Sequence, residues 1–284
     1  MNFRNMLAIG FVVGNCLYAP HSFAADARLE FEVEVEVEVE VVQLPYARAV
    51  IEASGYQGNM LLYDMNEDRY LAAYADDIEQ QYIPASTFKI MSSLVALEAG
   101  VVAGADSVLM WDGVTRGRTE TNADLTLRAA FQLSSVPHYQ AMVREVGEQA
   151  MQTMITAVGY GNENISGGID QFWLTGALRV TPLQQIDLLR RLYHEELPFS
   201  AEAMRTVKDI MMVETTDDYV LRAKTGLAVL NKDENTGWWV GWVEHENNVT
   251  VFATVLTATA PDSDFIPARL SVTRDVLREL GVLP

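Results

Sequence analysis

Residues 86 to 99 read STFKIMSSLVALEA, a stretch that is apolar on almost every side of a helix and is followed by Gly100. A helix without a polar face cannot lie on a surface, so the rest of the chain has to wrap it. The glycine closes it at its C-terminal end. At 284 residues, 49% of them hydrophobic and 21% charged, the chain is long and oily enough to supply that wrapping as one large domain or two small ones. One residue fits the oily helix poorly. Lys89 sits one turn after Ser86, where its ammonium would have little water.

The wrapping elements are readable from periodicity. GNMLLYD (58–64) and RYLAAYA (69–75), joined by a polar turn at Met65 to Asp68, predict a hairpin. The middle of the chain reads as helices at 125–133 and 138–158, with further helix starts at Thr181 before Pro182 and at Ser200. Strands return at 219–226, 237–245 and 249–259, the last two joined by Asn247 and Asn248, and a final helix runs near 267–280. Strands at both ends with helices between predict an α/β (α+β) fold. Its antiparallel β-sheet is built from both termini and flanked by helices, and a helical subdomain is inserted at about 101–215. Trp238, Trp239 and Trp242 fall in one strand and read as core.

Ahead of this lies MNFRNMLAIGFVVGNCLYAPHSFAADA, with Arg4, an apolar stretch from Met6 to Ala19, and small residues at Ala24, Ala25 and Ala27. That is the pattern of a cleaved signal peptide over residues 1–25, which places the mature protein in the periplasm or outside the cell. The stretch is broken by Gly, Asn and Cys and is too short for stable membrane insertion. Residues 26–57 form a lead-in before the main domain at 58–284. Within it, 30–42 read EFEVEVEVEVEVV, the period of a strand with one acidic and one oily face.

Composition excludes several functions. Removing the tract's six glutamates from the formal charge of −19 still leaves −13, so the acidity belongs to the whole chain and nucleic acid is not a partner. Cys16 is the only cysteine and lies in the leader, so the mature chain has neither disulfide nor thiol nucleophile. His138, His194 and His245 show no metal-ligand spacing such as H-E-x-x-H, and no metal site or phosphate-cradling glycine loop is expected.

Ser86 and Lys89 share one helix face, with Ser86 at the positive end. A hydroxyl becomes a nucleophile only when a base takes its proton, and a lysine serves as that base only if burial lowers its pKa. A capping serine beside a snorkelling lysine would look the same. Two further stretches favour chemistry. SSVP (134–137) sets Ser134 where a helix gives way to proline. KTG (224–226) ends a strand with a cation, a hydroxyl and a residue that cannot keep a ligand off the strand edge.

STFK (86–89), the S-x-V of Ser134 to Val136, YGN (160–162), FWL (172–174), KTG (224–226) and WWVGW (238–242) occur in this order. From about residue 58 to the C-terminus the chain resembles the class D serine β-lactamases, or oxacillinases. The resemblance implies the serine β-lactamase/transpeptidase-like fold and hydrolysis of a β-lactam ring through an acyl-enzyme on Ser86. It implies that Lys89, carbamylated by carbon dioxide or bicarbonate to N6-carboxylysine, is the general base, with the Trp173 indole donating to it and Val136 and Leu174 as apolar wall. Ser134 would pass a proton to the ring nitrogen. Lys224, Thr225 and Arg269 would meet the substrate carboxylate beside Gly226, and the backbone N–H groups of Ser86 and Leu227 would form the oxyanion hole. Tyr160, Gly161 and Asn162 read as site architecture. No other cofactor is implied, and the protein is expected to be a monomer or homodimer. The loop at 227–237 lies where such enzymes vary in substrate. The competing readings are a β-lactam sensor and a penicillin-binding transpeptidase, which are acylated but do not turn over.

Overall fold

The structure, a computed structural model, describes residues 4–10, 36–229 and 235–284. Along the chain lie β1 (Arg4–Gly10), β2 (Glu36–Gln43), α1 (Pro45–Ala53), β3 (Gln57–Asp64), β4 (Arg69–Ala72) and α2 (Lys89–Glu98). The middle holds β5 (Val108–Leu109), β6 (Leu125–Thr126), α3 (Leu127–Gln132), α4 (Val136–Val146), α5 (Glu148–Val158), α6 (Pro182–Tyr193) and α7 (Ala201–Ile210). Then follow β7 (Met212–Thr215), β8 (Tyr219–Val229), β9 (Asn235–His245), β10 (Asn248–Ala258) and α8 (Phe265–Glu279). The main sheet runs β1-β2-β4-β3-β10-β9-β8-β7, and β5 pairs with β6 apart from it.

Every pairing in the main sheet is antiparallel except one. The Glu-Val tract enters as β2 and runs parallel to β4, with Val41 opposite Tyr70. At its end Glu40 is exposed and Val41 is buried in the main core. The rest of the tract, residues 30–35, lies outside the described residues. So does most of the expected leader. Of residues 1–25 only Arg4–Gly10 is placed, as the outermost strand, and its removal would leave β2 as the sheet edge. Among the described residues no helix is long and apolar enough to cross a membrane.

The sheet has a core on each face, and β9 shows how the sequence divides them. Trp238 and Trp242 point into the core shared with the helices from α2 to α7, whereas Trp239 points into the second core with α1 and α8. All three tryptophans are buried, as a strand pressed from both sides requires. In α2 every residue from Lys89 to Ala96 is buried, so the oily helix is wrapped as its sequence demanded.

Three sequence expectations shift in detail. The boundary at residue 58 cuts through a packed unit, because Ala47 and Ile51 of α1 are buried in the second core beside Phe265 and Val276 of α8. The helix expected over 138–158 is two helices, since Gly147 at φ +82° turns the chain between α4 and α5. Leu125 and Thr126 are strand rather than helix, and the Thr126 hydroxyl then caps α3 by accepting the Ala129 N–H. At Thr181 the helix start is a full capping box with Gln184.

Candidate active site

A 3₁₀ turn at Ala85–Phe88 leads into α2 and presents Ser86 where that turn meets β8. Ala85, at φ +49°, takes a left-handed conformation that an L side chain adopts only under constraint. The constraints are visible. Thr87 Oγ1 donates to Pro84 O at 2.8 Å and accepts from Gln185 Nε2 of α6 at 2.8 Å. On the other side Gly226 of β8 lies so close that a Cβ there would stand 3.0 Å from Pro84 O and 3.1 Å from Thr87 Cγ2. The glycine of KTG is therefore what lets the strand close on the turn that carries Ser86.

Lys89 Nζ stands 3.0 Å from Ser86 Oγ, with Ser86 8% and Lys89 0% exposed. Burial, helped by the nearby charge of Arg118, brings the Lys89 pKa down to about 7. No carboxylate among the described residues pairs with it. The Tyr139 ring lies 5.0 Å from Nζ and supports its charge, and the Tyr139 hydroxyl is tied to Ser93 at 2.8 Å.

Ser134 sits in the turn between α3 and α4 at φ +53°. Its Oγ accepts from Lys224 Nζ at 3.1 Å, and the same ammonium donates to Thr225 O at 2.9 Å and Thr225 Oγ1 at 3.3 Å. Burial and the charges of Lys89, Arg269 and Arg118 hold the Lys224 pKa well below the ordinary lysine range. Arg269 is buried, with Nη1 donating to Gly226 O at 2.9 Å and its pKa lowered by burial to about 10. The structure thus brings Ser86 to Lys89 and joins Ser134, Lys224, Thr225, Gly226 and Arg269 in one chain of contacts. Val136 opens α4 two residues after Ser134, and half-buried Leu227 packs towards the second core.

Trp173 is 1% exposed and stacks on Phe88 at 5.4 Å, with half-buried Leu174 following it. Its indole Nε1 is buried without a hydrogen-bond partner, an expensive state for a donor. The loop carrying it is pinned by the YGN residues. Asn162 N donates to Arg179 O at 2.9 Å, Asn162 Oδ1 accepts from Arg179 N at 3.0 Å, and Asn162 Nδ2 donates to Ala177 O at 3.0 Å. A side chain at Gly161 would collide with Arg179 O, at 2.2 Å from a Cβ.

A buried, deprotonable lysine against a serine, with cations nearby and no acid among the described residues paired with them, suits attack on a carbonyl borne by an anionic ligand. Comparison with known proteins narrows this. The family description "Penicillin binding protein transpeptidase domain" matches residues 56–278. Beta-lactamase OXA-48 of Klebsiella pneumoniae is 41% identical over 228 residues, 80% of this chain and 85% of that protein. The chain belongs to the class D β-lactamases. Beta-lactamase OXA-10 of Pseudomonas aeruginosa is 40% identical over 72% of this chain and 77% of its own length. Two solved class D β-lactamase structures agree in fold. That of YbXI from Nostoc has a TM-score of 0.80 at 43% identity, covering 84% of this chain and 99% of its own. FUS-1 (OXA-85) from Fusobacterium nucleatum subsp. polymorphum has a TM-score of 0.81 at 34% identity, covering 85% and 100%. As a class D β-lactamase, the chain has the serine β-lactamase/transpeptidase fold expected from its sequence.

Several neighbours of the site carry no motif of their own. Tyr139 beneath Lys89, Gln185 behind Thr87 and Phe131 with its ring 5.5 Å from Lys224 Nζ are brought in only by the fold. The loop at 227–237 is placed only in part, since residues 230–234 lie outside the described residues.

Proposed function

We propose that this protein hydrolyses the β-lactam ring of penicillins and related antibiotics through an acyl-enzyme on Ser86, and so confers resistance to them. The observation that carries the reading is the 3.0 Å contact between Ser86 Oγ and a buried Lys89 whose pKa lies near 7. At neutral pH a large share of Lys89 is an uncharged amine, the form that adds carbon dioxide, and the carboxylate so made at Lys89 would be the base for the Ser86 proton. Ser86 Oγ then bonds to the ring carbonyl carbon, and the developing oxyanion is met by the backbone N–H groups of Ser86 and Leu227. As the carbon–nitrogen bond breaks, Ser134 gives its proton to the ring nitrogen and is recharged through Lys224, which donates to it. Thr225, Lys224 and Arg269 hold the substrate carboxylate at the end of β8, and Val136 and Leu174 keep water from the base.

The residues present also suit N6-carboxylysine at position 89. A neutral amine is the form that adds carbon dioxide, and Trp173 Nε1 is a buried donor lacking an acceptor. Carbon dioxide taken up there would supply a carboxylate-like base for the deacylating water. Trp173 would hold it by donating from Nε1, while its ring stays fixed against Phe88. The leader and the family together favour action in the periplasm or outside the cell.

Rapid-quench mass spectrometry with a penicillin tests the reading. The expected result is an adduct of the intact penicillin's mass on the peptide containing Ser86, which then decays to free enzyme and hydrolysed product, with neither seen in Ser86→Ala. Turnover by Ser86→Ala would overturn the acyl-enzyme. An adduct that forms and never decays would assign the protein to the acylated sensors instead.

A further inference from the structure

We propose that His138 is a positioning residue for Ser134, fixing the turn that aims the Ser134 hydroxyl at the ring nitrogen. This rests on the hydrolytic reading above and adds to it a residue that belongs to no motif. Ser134 needs outside support. It lies just past α3, where Ser134 N donates to Phe131 O at 3.0 Å and Ser135 N donates to Ala130 O at 2.8 Å, the two bonds of a Schellman turn. The left-handed position of such a turn suits glycine, and a serine held there at φ +53° is strained. Relaxation to an ordinary φ would swing Oγ away from Lys224 Nζ, from which it accepts at 3.1 Å.

The support comes through the next residue. Ser135 is the N-cap of α4, yet its hydroxyl caps no backbone N–H, and one group that it would cap is missing because Pro137 has none. Instead Ser135 Oγ lies 2.7 Å from His138 Nδ1, and His138 Nε2 lies 3.0 Å from Ala123 O. A carbonyl only accepts, so Nε2 carries the hydrogen, and Nδ1 of the neutral ring then accepts from Ser135. Ala123 is a firm anchor. Asn122 before it exchanges two hydrogen bonds with the Arg116 backbone, at 2.9 and 2.8 Å, and Asp124 after it accepts from Trp111 N at 2.8 Å. His138 is 2% exposed and both its ring nitrogens are committed. It is thus a strut from the Ser134 turn to a fixed loop, acting on Ser134 through its neighbour.

Ser134 gives up its proton as the ring opens, so the strut bears on acylation and not on release of the acyl group. Rapid-quench mass spectrometry of the full-length protein with a penicillin, in saturating bicarbonate, reads the two rates separately. His138→Gln keeps a donor for Ala123 O and gives up the Ser135 contact, whereas His138→Asn sets an amide oxygen where Nδ1 stood and keeps that contact. Ser135→Ala removes the same contact with the ring still in place, and carries the test should His138→Gln fail to fold. Acylation should slow roughly tenfold or more in His138→Gln and Ser135→Ala, a part of the ~100-fold or greater gain that a positioned proton donor supplies. Decay of the acyl-enzyme should stay at the wild-type rate in both, and His138→Asn should recover most of the acylation. Wild-type acylation in either variant, equal slowing of acylation and decay, or His138→Asn as slow as His138→Gln would each overturn this proposal alone. Absence of any adduct on the wild-type protein would overturn the hydrolytic reading and this proposal with it.

Discussion

Replacing Lys89 with methionine should make the protein inactive and, at mildly acidic pH, more stable. Lys89 is fully buried with no paired acid among the described residues, and burial moves its pKa from 10.5 to about 7. The folded pKa lies below the unfolded one, so between about pH 7 and 10.5 the unfolded chain holds an extra proton and stability rises with pH. Below that window the native state carries the full cost of a buried ammonium. With 1.36 kcal/mol per pKa unit, this group's contribution changes by about 3 kcal/mol between pH 6 and pH 9. Methionine fills similar volume and does not titrate. Its packing gain and the lost contact to Ser86 are the same at both pH values, so they drop out of the comparison. Urea unfolding of wild type and Lys89→Met in carbon-dioxide-free buffer measures it. The stability advantage of Lys89→Met should shrink by about 3 kcal/mol from pH 6 to pH 9. An advantage equal at both values would refute the claim that burial holds this lysine near neutrality.

Trp173→Phe keeps a ring to stack on Phe88 but removes the unpartnered Nε1 donor, so turnover should need much more bicarbonate than in wild type and recover when it is supplied. An unchanged bicarbonate requirement, read from turnover against concentration, would remove the indole from the account. Arg269→Ala removes a buried cation, so KM for a penicillin should rise roughly tenfold or more with a smaller change in kcat. Steady-state kinetics that show kcat falling and KM unmoved would mean that Arg269 only props β8 through Gly226 O.

The pairing of Ser86 with Lys89 was only hinted at locally, by a lysine that violates the pattern of its own helix, and it took the further motifs in their order to set it apart from a capping serine beside a snorkelling lysine. Ser134 and KTG were legible as motifs, although only the fold shows Lys224 reaching Ser134 across 90 residues of sequence. Arg269 was ambiguous from sequence alone. Its exposure depends on α8 packing over the end of β8, which no local pattern encodes. The strut from Ser135 through His138 to Ala123 was hidden for the same reason, since a lone histidine gives no sign of its two partners. The parallel pairing of β2 with β4 escaped because a period of two fixes which face is oily but not which neighbour lies alongside. The break at Gly147 was visible as a glycine, yet the apolar spacing of α4 and α5 runs on across it and masked the turn.

The central claim is that Ser86 is acylated and released through a base built on an uncharged Lys89. Hydrolysis of a chromogenic cephalosporin tests it most directly, measured with purified protein in degassed, mildly acidic buffer and again after bicarbonate is restored. The account predicts slow or stalling turnover in the first condition and fast, sustained turnover in the second. A single stoichiometric burst in both, with no turnover when bicarbonate returns, would contradict it.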